Sequence, residues 1–368
     1  MLAFVLVVCA IAAGYQLFAI AACIWHLIRK RPVAGACPAI SILKPVRGAD
    51  PGFYEAIRSH AVQDYPQFEI LFGIREADDS ARVDIERLIR EFPAVPIRLV
   101  ICPRDAPNGK VGVLMDLAKY ARYPILIVND SDITVPAGYL QQVVAPLADP
   151  GTGLVTCLYR VEARDWPSRF EALGIATEFA PSTLVAPLVG VSEFGLGSTL
   201  AFRKVDLDRI GGFAAIADYL ADDYQLGKKL HSLGLQNCIS EVVVTTRLSG
   251  GMWGSAWRHQ LRWARTIRLS RGAGYAGLPI TFATLWVLVA AAYGLWGVAL
   301  TLLLIRLTMA IVGGWFVLRD ANVLKYCYAI PVRDLWGVCV WAVGLFGNEV
   351  EWRGLRLRLD REGRIVSH

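Results

Sequence analysis

The segment Pro124-Ile-Leu-Ile-Val-Asn-Asp-Ser-Asp132 passes from an unbroken aliphatic stretch straight into two acids. Ile125 to Val128 is a continuous β-branched and aliphatic run, the pattern of a strand buried on both faces. A buried strand has no reason of its own to end in carboxylates. Asp130 and Asp132 stand two residues apart, so they share a side if strand geometry continues. In open α/β sheets ligands bind at the carboxyl ends of the strands, and two carboxylates there repel each other unless a cation lies between them. Oxygen-only ligands with room for phosphate and water suit Mg2+ or Mn2+ rather than Zn2+. The competing reading is a polar turn, since Asp, Asn and Ser are ordinary turn residues.

Upstream of this segment, strand patterns at Ile40–Leu43, Glu69–Ile74 and Ile97–Ile101 alternate with helical stretches at Pro51–Gln63, Ala81–Glu91 and Lys110–Ala121. Such alternation predicts right-handed βαβ units and a doubly wound parallel sheet of the α/β class. The first strand ends in Lys44-Pro-Val-Arg-Gly-Ala-Asp50 and the second near Glu76-Ala-Asp78-Asp79. These charges would line one crevice with Asp130 and Asp132. No Gly-rich fingerprint follows the first strand, which weighs against a dinucleotide-binding Rossmann domain or a P-loop. Lys110 sits between the third strand and its helix, placed either to reach a phosphate or to be solvated at a helix start.

Beyond Asp132 the pattern loosens into mixed α+β. Gly195-Leu-Gly-Ser198 precedes a strand pattern at Thr199–Phe202, and Tyr219-Leu-Ala-Asp-Asp-Tyr-Gln-Leu-Gly227 carries the adjacent acids Asp222 and Asp223. Paired acids at a helix start commonly serve the helix dipole; the functional alternative is a base directed into the crevice. Trp257-Arg-His259-Gln260-Leu-Arg262-Trp263-Ala-Arg-Thr-Ile-Arg268 has helical spacing. Its cations suit a diphosphate or lipid headgroups, as on an interfacial amphipathic helix.

The flanks are apolar. The chain of 368 residues is 55% hydrophobic with a mean hydropathy of +0.43, above the globular norm and indicative of membrane segments. Leu2 to Ile28 carries no formal charge and is long enough to span a bilayer. Positive charge follows it at Arg29-Lys-Arg31 rather than preceding it, the mark of an anchor rather than a cleaved signal. The positive-inside rule then places the N-terminus outside and the region after Arg31 in the cytoplasm, with a linker over Pro32–Pro38. After Gly277 come apolar runs at Pro279–Ile305, Leu307–Leu318 and Leu335–Gly347, the last marginal for a full span. A turn near Gly294–Gly297 would split the first run into two helices. Arg306 inside a bundle is a functional suspect, with snorkelling as the alternative. A basic tail runs from Arg353 to Arg364. This organisation predicts an anchor over 1–31, a catalytic domain over 38–277, membrane helices over 278–352 and a tail over 353–368. The net charge of +6 suits an anionic membrane face or a phosphorylated ligand and is too diffuse for nucleic acid. The eight cysteines form no CxxC pair, against zinc or a disulfide framework.

In their order these motifs resemble the ceramide glucosyltransferase family of membrane glycosyltransferases, with its bacterial relatives linked to hopanoid glycolipids. The residues carrying the resemblance are Ser41-Ile-Leu-Lys-Pro-Val-Arg-Gly-Ala-Asp50, Asp78-Asp79, Asn129-Asp-Ser-Asp132, Leu220-Ala-Asp-Asp-Tyr224 and Arg262-Trp263, spanning Ile40 to Arg268. The resemblance implies a GT-A-type nucleotide-sugar-binding domain between an N-terminal transmembrane helix and C-terminal membrane helices, at a bacterial-type inner membrane. The family pattern is three separated aspartates followed by Gln/Arg-x-x-Arg-Trp. Carried over, Asp79 contacts uracil or ribose, Asp130 is the second aspartate and Asp223 the third, a general base on the acceptor hydroxyl. Asp222 is the neighbouring alternative. The last motif departs in holding His259 at its first position, so either His259 or Gln260 makes that polar contact. Lys44, Lys110, Asp130, Arg262 and Trp263 are then expected around the nucleotide sugar, with Mg2+ or Mn2+ on Asp130 and Asp132. Direct displacement on a UDP-sugar inverts the anomeric carbon. Trp253, Trp257 and Trp263 are expected between crevice and bilayer, and the acceptor is a membrane lipid hydroxyl, ceramide-like or hopanoid. A processive polysaccharide synthase would need more membrane helices for a channel. A non-enzymatic nucleotide-binding protein would tolerate charge-neutral changes at Asp130 and Asp223.

Overall fold

Strands that alternate with crossover helices bury both faces, and here that pattern builds a seven-stranded sheet. The computed structural model describes residues 1–30, 35, 37–248, 251–352 and 354–367. Arg31 of the basic triplet, residues 32–34 and 36 of the expected linker, and Arg353 at the head of the expected tail lie outside the described residues. The chain divides into two compact units: Lys30–Tyr159 with Val191–Ser249, and Met1–Arg29 with Arg160–Gly190 and Gly250–His368. The segment read as one catalytic domain, 38–277, is thus shared between them.

The first is the sheet unit. Its strands are β1 (Ile40–Pro45), β2 (Phe68–Ile74), β3 (Ile97–Ile101), β4 (Ile125–Val128), β5 (Thr152–Glu162, which leaves the unit at Arg160), β6 (Leu200–Arg203) and β7 (Gln236–Arg247). The order is β3-β2-β1-β4-β6-β5-β7. β1 to β4 are mutually parallel, as their apolar runs predict, with Ile40 opposite both Phe68 and Ile125. β6 runs antiparallel to β4 and to β5, so the sheet is mixed rather than parallel throughout. Strand order reverses at β1 and β4, whose carboxyl ends therefore flank the switch-point crevice of an open α/β sheet. One apolar cluster centred on Ile42, Phe72 and Ile127 covers one face of the sheet, and one centred on Leu43, Leu126 and Phe202 covers the other.

The second is a helical unit. Leu2–Ile28 and Trp296–Val317 are long and apolar enough to cross a membrane, and the bent pair Gly272–Ile280 and Ala283–Ala292 makes a third candidate if it counts as one span. On Leu2–Ile28 the buried positions include the small residues Cys9, Ala12, Ala19, Ala22 and Cys23, while Phe4, Ile11 and Leu17 face outward, a bias toward small residues that lets helices approach closely in lipid. The expected break appears at Gly294, whose φ of 74° separates helices Ala283–Ala292 and Trp296–Ile311. The third apolar run forms helix Ile330–Gly344, about 22 Å long and short of a 30 Å hydrocarbon core. The expected tail carries β9 (Leu355–Leu359) and β10 (Ile365–Ser367), which form a small antiparallel sheet with β8 (Glu349–Trp352), the end of the segment expected as membrane helices. The helical stretch Trp166–Leu188 escaped the sequence pattern. It opens on Asp165, whose carboxylate accepts the Ser168 N–H at 2.8 Å, and passes through a π-turn at Ile175–Phe179.

Candidate active site

Asp130 and Asp132 lie just past the end of β4, as expected, yet strand geometry does not continue through them. The chain turns, with the Ile133 N–H directed at the Asp130 carbonyl at 3.4 Å, and the two side chains acquire different partners. Asp130 Oδ1 accepts from the Lys110 ammonium at 2.8 Å. Asp132 Oδ2 accepts from the Thr246 hydroxyl of β7. Beneath them the Lys44 side chain, fully buried at the end of β1, donates to the Asp130 carbonyl at 3.0 Å and lies 3.4 Å from His60 Nε2. Burial pulls the Lys44 ammonium down to about 7, against the attraction of Asp132 and Asp130. Burial and the charge of Asp130 raise the Asp132 carboxyl above its ordinary value.

Lys110 is set by its helix. Asn108 caps helix Gly109–Leu117 by accepting the Lys110 and Val111 N–H groups, and its Nδ2 donates to the Tyr219 carbonyl at 2.8 Å. That bond ties the cap to the chain leading into helix Asp222–His231. The ammonium thereby bridges Asp130 and Asp222, the second at 3.0 Å. Burial alone would lower it, but Asp130, Asp222 and Asp223 hold it well above the usual lysine range. Of the two readings for Lys110, a solvated helix start is excluded: its side chain is 16% exposed.

Asp223 faces the same cluster. Its Oδ2 accepts the Gly197 N–H at 2.9 Å and its Oδ1 the Tyr224 N–H at 2.7 Å. Burial, followed by repulsion from Asp222, pushes this carboxyl up to about 6. Gly197 is a functional position that sequence reasoning passed over. A Cβ there would lie 2.9 Å from Asp130 Oδ2 and 3.4 Å from Asp223 Oδ2, so any larger residue would push on the Asp130 carboxylate in its present position. The local sign was a Gly-x-Gly before a strand, too common to identify alone. Asn129, buried, holds this loop by donating to the Ser198 carbonyl at 2.7 Å. Asp79 lies at the end of β2, where both its oxygens accept the Gly48 N–H at 3.0 Å and Oδ1 also accepts the Ala81 N–H at 2.9 Å. It thus pins the loop after β1 to the one after β2.

The structure gathers Lys44, Lys110, Asp130, Asp132, Asp222 and Asp223 in the sheet unit, where four carboxylates outnumber two ammonium groups. Among the described residues no group of three or more His, Cys, Asp or Glu is arranged to hold a metal ion. Two carboxylates with surplus negative charge nevertheless fit Mg2+ or Mn2+, which are commonly bound by one or two carboxylates and completed by substrate phosphates.

His259, Gln260, Arg262 and Trp263 belong to the helical unit, on helix Trp253–Ser270. His259 Nδ1 is bonded to the buried Glu171, and its ring packs on Trp263 at 4.7 Å between centroids. Gln260 Oε1 accepts the Trp336 indole N–H at 3.0 Å. Arg262 is half-buried. Arg265 and Arg268 bond the carbonyls of Phe346, Gly347 and Glu349, so these two cations cap the chain just past helix Ile330–Gly344 rather than meeting a diphosphate. The expected tryptophan cluster divides: Trp253 and Trp257 meet Trp336, whereas Trp263 lies against Phe179. Arg306 neither snorkels nor stands alone. It is 1% exposed and grips Asp334 through Nε at 3.0 Å and Nη2 at 2.6 Å, while Nη1 donates to the Thr177 carbonyl at 2.9 Å. Asp334 also accepts the Thr284 hydroxyl at 2.6 Å.

The sequence profile of glycosyl transferase family 21 matches residues 4–365. Ceramide glucosyltransferase 1 of Caenorhabditis elegans is 29% identical over 221 residues, covering 59% of this chain and 47% of its own length. The ceramide glucosyltransferase of Komagataella phaffii is 28% identical over 160 residues, 37% of this chain and 31% of that protein. The chain spans about half the length of the first of these curated relatives. Among solved structures, a mannosyltransferase of Pyrobaculum calidifontis in complex with GDP-Man and Mn2+ superposes with a TM-score of 0.57 at 21% identity, covering 91% of this chain and 99% of that one. That likeness establishes a glycosyltransferase fold: a mixed α/β sheet with apolar helices at both ends.

Proposed function

This chain belongs to glycosyl transferase family 21, and from that premise we propose that it transfers a sugar from a UDP-sugar, glucose or N-acetylglucosamine, to the hydroxyl of a membrane lipid with inversion at the anomeric carbon. The observation that carries the reading is the convergence of Asp130, Asp222 and Asp223 on Lys110 at the switch point of the sheet. Donor cleavage releases a diphosphate whose charge grows as the glycosidic bond breaks, and Lys110 supplies fixed positive charge to meet it. Asp130 and Asp132 would hold a divalent cation, which neutralises phosphate charge as a Lewis acid when bound. Asp223 takes the proton of the acceptor hydroxyl. A carboxyl raised to about 6 is ionised at neutral pH and still basic enough to act. Within the sheet unit Asp79 and Lys44 complete the donor side, with Asp79 toward the nucleoside. The spans suit a membrane-embedded acceptor such as a ceramide-like sphingolipid or a polyhydroxylated hopanoid, reached from the cytoplasmic face of a bacterial-type inner membrane. Such a lipid keeps its chains in the bilayer during reaction, avoiding about 0.8 kcal/mol per exposed CH2.

The test is to incubate purified full-length protein with radiolabelled UDP-glucose or UDP-N-acetylglucosamine, Mn2+ and each lipid in detergent. Label is expected in organic-extractable product and lost with Asp223→Asn. Label appearing only in water-soluble oligosaccharide would overturn the lipid reading.

A further inference from the structure

Helix Phe53–Ala61, the crossover between β1 and β2, carries supports of the acid-bearing loop on its last turn. The Ser59 hydroxyl accepts the Val135 N–H at 3.0 Å, and just past the helix Gln63 Nε2 donates to the Pro136 carbonyl at 3.0 Å. Between them His60 is fully buried and faces the site itself. Its Nδ1 lies 3.0 Å from the Ala56 carbonyl. A carbonyl only accepts, so Nδ1 carries the proton and Nε2 keeps its lone pair. That lone pair faces the Lys44 ammonium at 3.4 Å, and the same ammonium donates to the Asp130 carbonyl at 3.0 Å. Burial, then the charge of Lys44, holds the imidazole well below its usual value, in keeping with a neutral ring that accepts. The ring also meets Tyr139 edge-on at 6.1 Å between centroids. The Tyr139 hydroxyl accepts from Asn129 Nδ2 at 2.9 Å, so both contacts of His60 lead to the dipeptide Asn129-Asp130.

A buried ammonium needs acceptors for its protons, and a lysine stem is flexible until they hold it. His60 supplies one such acceptor and keeps the Lys44 nitrogen against the Asp130 carbonyl. That carbonyl is the one to which the Ile133 N–H turns back. The Lys44 bond therefore fixes the turn that sends the Asp130 and Asp132 side chains to different partners. The aim of a metal-binding carboxylate is set by such supports as much as by the carboxylate itself. We propose that His60 is a positioning residue of the acid site: acting through Lys44, it fixes the turn that presents Asp130 and Asp132 to a divalent cation. All of these residues belong to the sheet unit. The inference rests on the cation reading of Asp130 and Asp132 and adds to it a residue that acts only through another side chain.

Two substitutions divide the contacts of the ring. The amide of His60→Asn reaches where Nδ1 stood and keeps the Ala56 bond, whereas that of His60→Gln reaches where Nε2 stood and still accepts from Lys44. Both remove the ring, so a packing loss falls on both and only the contact with Lys44 differs. Mn2+ is titrated into full-length protein in detergent with UDP at one fixed concentration. Free Mn2+ is read by electron paramagnetic resonance against a protein-free sample holding the same UDP, and initial transfer rates are taken over the same Mn2+ range. His60→Asn is expected to weaken Mn2+ binding about tenfold or more, the usual scale for removing a support of a metal ligand, while His60→Gln stays within about threefold of wild type. The Mn2+ needed for half-activity should move in step. His60→Leu, which offers neither polar atom, is expected to match His60→Asn and takes its place if that variant does not fold. Wild-type Mn2+ affinity in His60→Asn or His60→Leu, or equal weakening in His60→Gln, overturns the positioning role. A wild type that binds Mn2+ but transfers no sugar to lipid defeats the transfer reading, and the order of Mn2+ affinities still decides for or against His60. A wild type that binds no Mn2+ removes the cation and the role of His60 with it.

Discussion

Replacing Asp223 by Asn separates what this carboxylate does for catalysis from what it does to stability. The folded-state value lies at about 6, above the ordinary 3.8. With the folded value above the unfolded one, the stability tied to this group is fully present below pH ~3.8 and is lost as pH rises through about 6. At 1.36 kcal/mol per pH unit the difference amounts to about 3 kcal/mol carried as a penalty at pH 8. Asp223→Asn removes the charge and keeps one acceptor oxygen for the Gly197 or Tyr224 N–H. We therefore expect the variant to be more stable than wild type at pH 8, by up to about 3 kcal/mol, and to lose that advantage by pH 4. The same substitution should lower turnover by about two orders of magnitude or more, with donor affinity nearly unchanged. In the wild type, kcat/KM should fall about tenfold per pH unit below pH ~6 as the base is protonated. Thermal unfolding in detergent from pH 4 to 8, paired with initial rates, measures both arms. A variant less stable than wild type at pH 8 would refute the electrostatic account. Wild-type turnover in Asp223→Asn, beside an inactive Asp222→Asn, would move the base by one residue.

Other expectations follow from the same geometry. EDTA should abolish transfer and Mn2+ restore it, with Asp132→Asn raising the Mn2+ needed for half-activity; full turnover in chelator would remove the cation. Gly197→Ala places a methyl 2.9 Å from Asp130 Oδ2, so it should cost about 1–3 kcal/mol in stability and, through displaced carboxylates, about a hundredfold in kcat/KM; activity within twofold of wild type would contradict the close approach. Arg306→Met alone strands Asp334 and should destabilise by about 3–5 kcal/mol in unfolding assays, whereas Arg306→Met with Asp334→Leu should recover most of it.

What could be read from the sequence follows from how local each signal is. β1 to β4 are buried on both faces, so each is an aliphatic run bounded by polar residues, and Asp130 stood out because it ends one of them. Leu2–Ile28 was equally plain, since lipid demands an uninterrupted apolar stretch. By contrast β5 and β7 mix polar with apolar residues, and helix Trp166–Leu188 holds Gly174, Pro181 and Pro187, which read as breakers until a π-turn and tertiary packing carry the chain through. Gly197 was silent because its necessity comes from Asp130 and Asp223, distant in sequence on either side. Arg306 could be flagged from its setting, but its partner Asp334 lies 28 residues away and nothing near it announced the pairing.

The acid cluster also bears on why the chain keeps a costly arrangement. Asp132 and Asp223 are both raised, chiefly by burial and then by a neighbouring aspartate, so ionising them in the folded protein opposes stability. Lys110 relieves part of this by bridging Asp130 and Asp222 and by its charge on Asp223, and Lys44 does the same for Asp132, yet both carboxyls stay raised. Folding alone would favour replacing these acids with neutral polar residues of the same size. Instead Gly197 leaves room for the Asp130 carboxylate beside it, and Asn108 commits both its cap and its amide to holding Lys110 near these acids. Positions that cost stability separately yet converge on one crevice are explained by what the crevice binds. A diphosphate arriving with a divalent cation brings charges of both signs, and the surplus carboxylates and the fixed ammonium have separate partners in it.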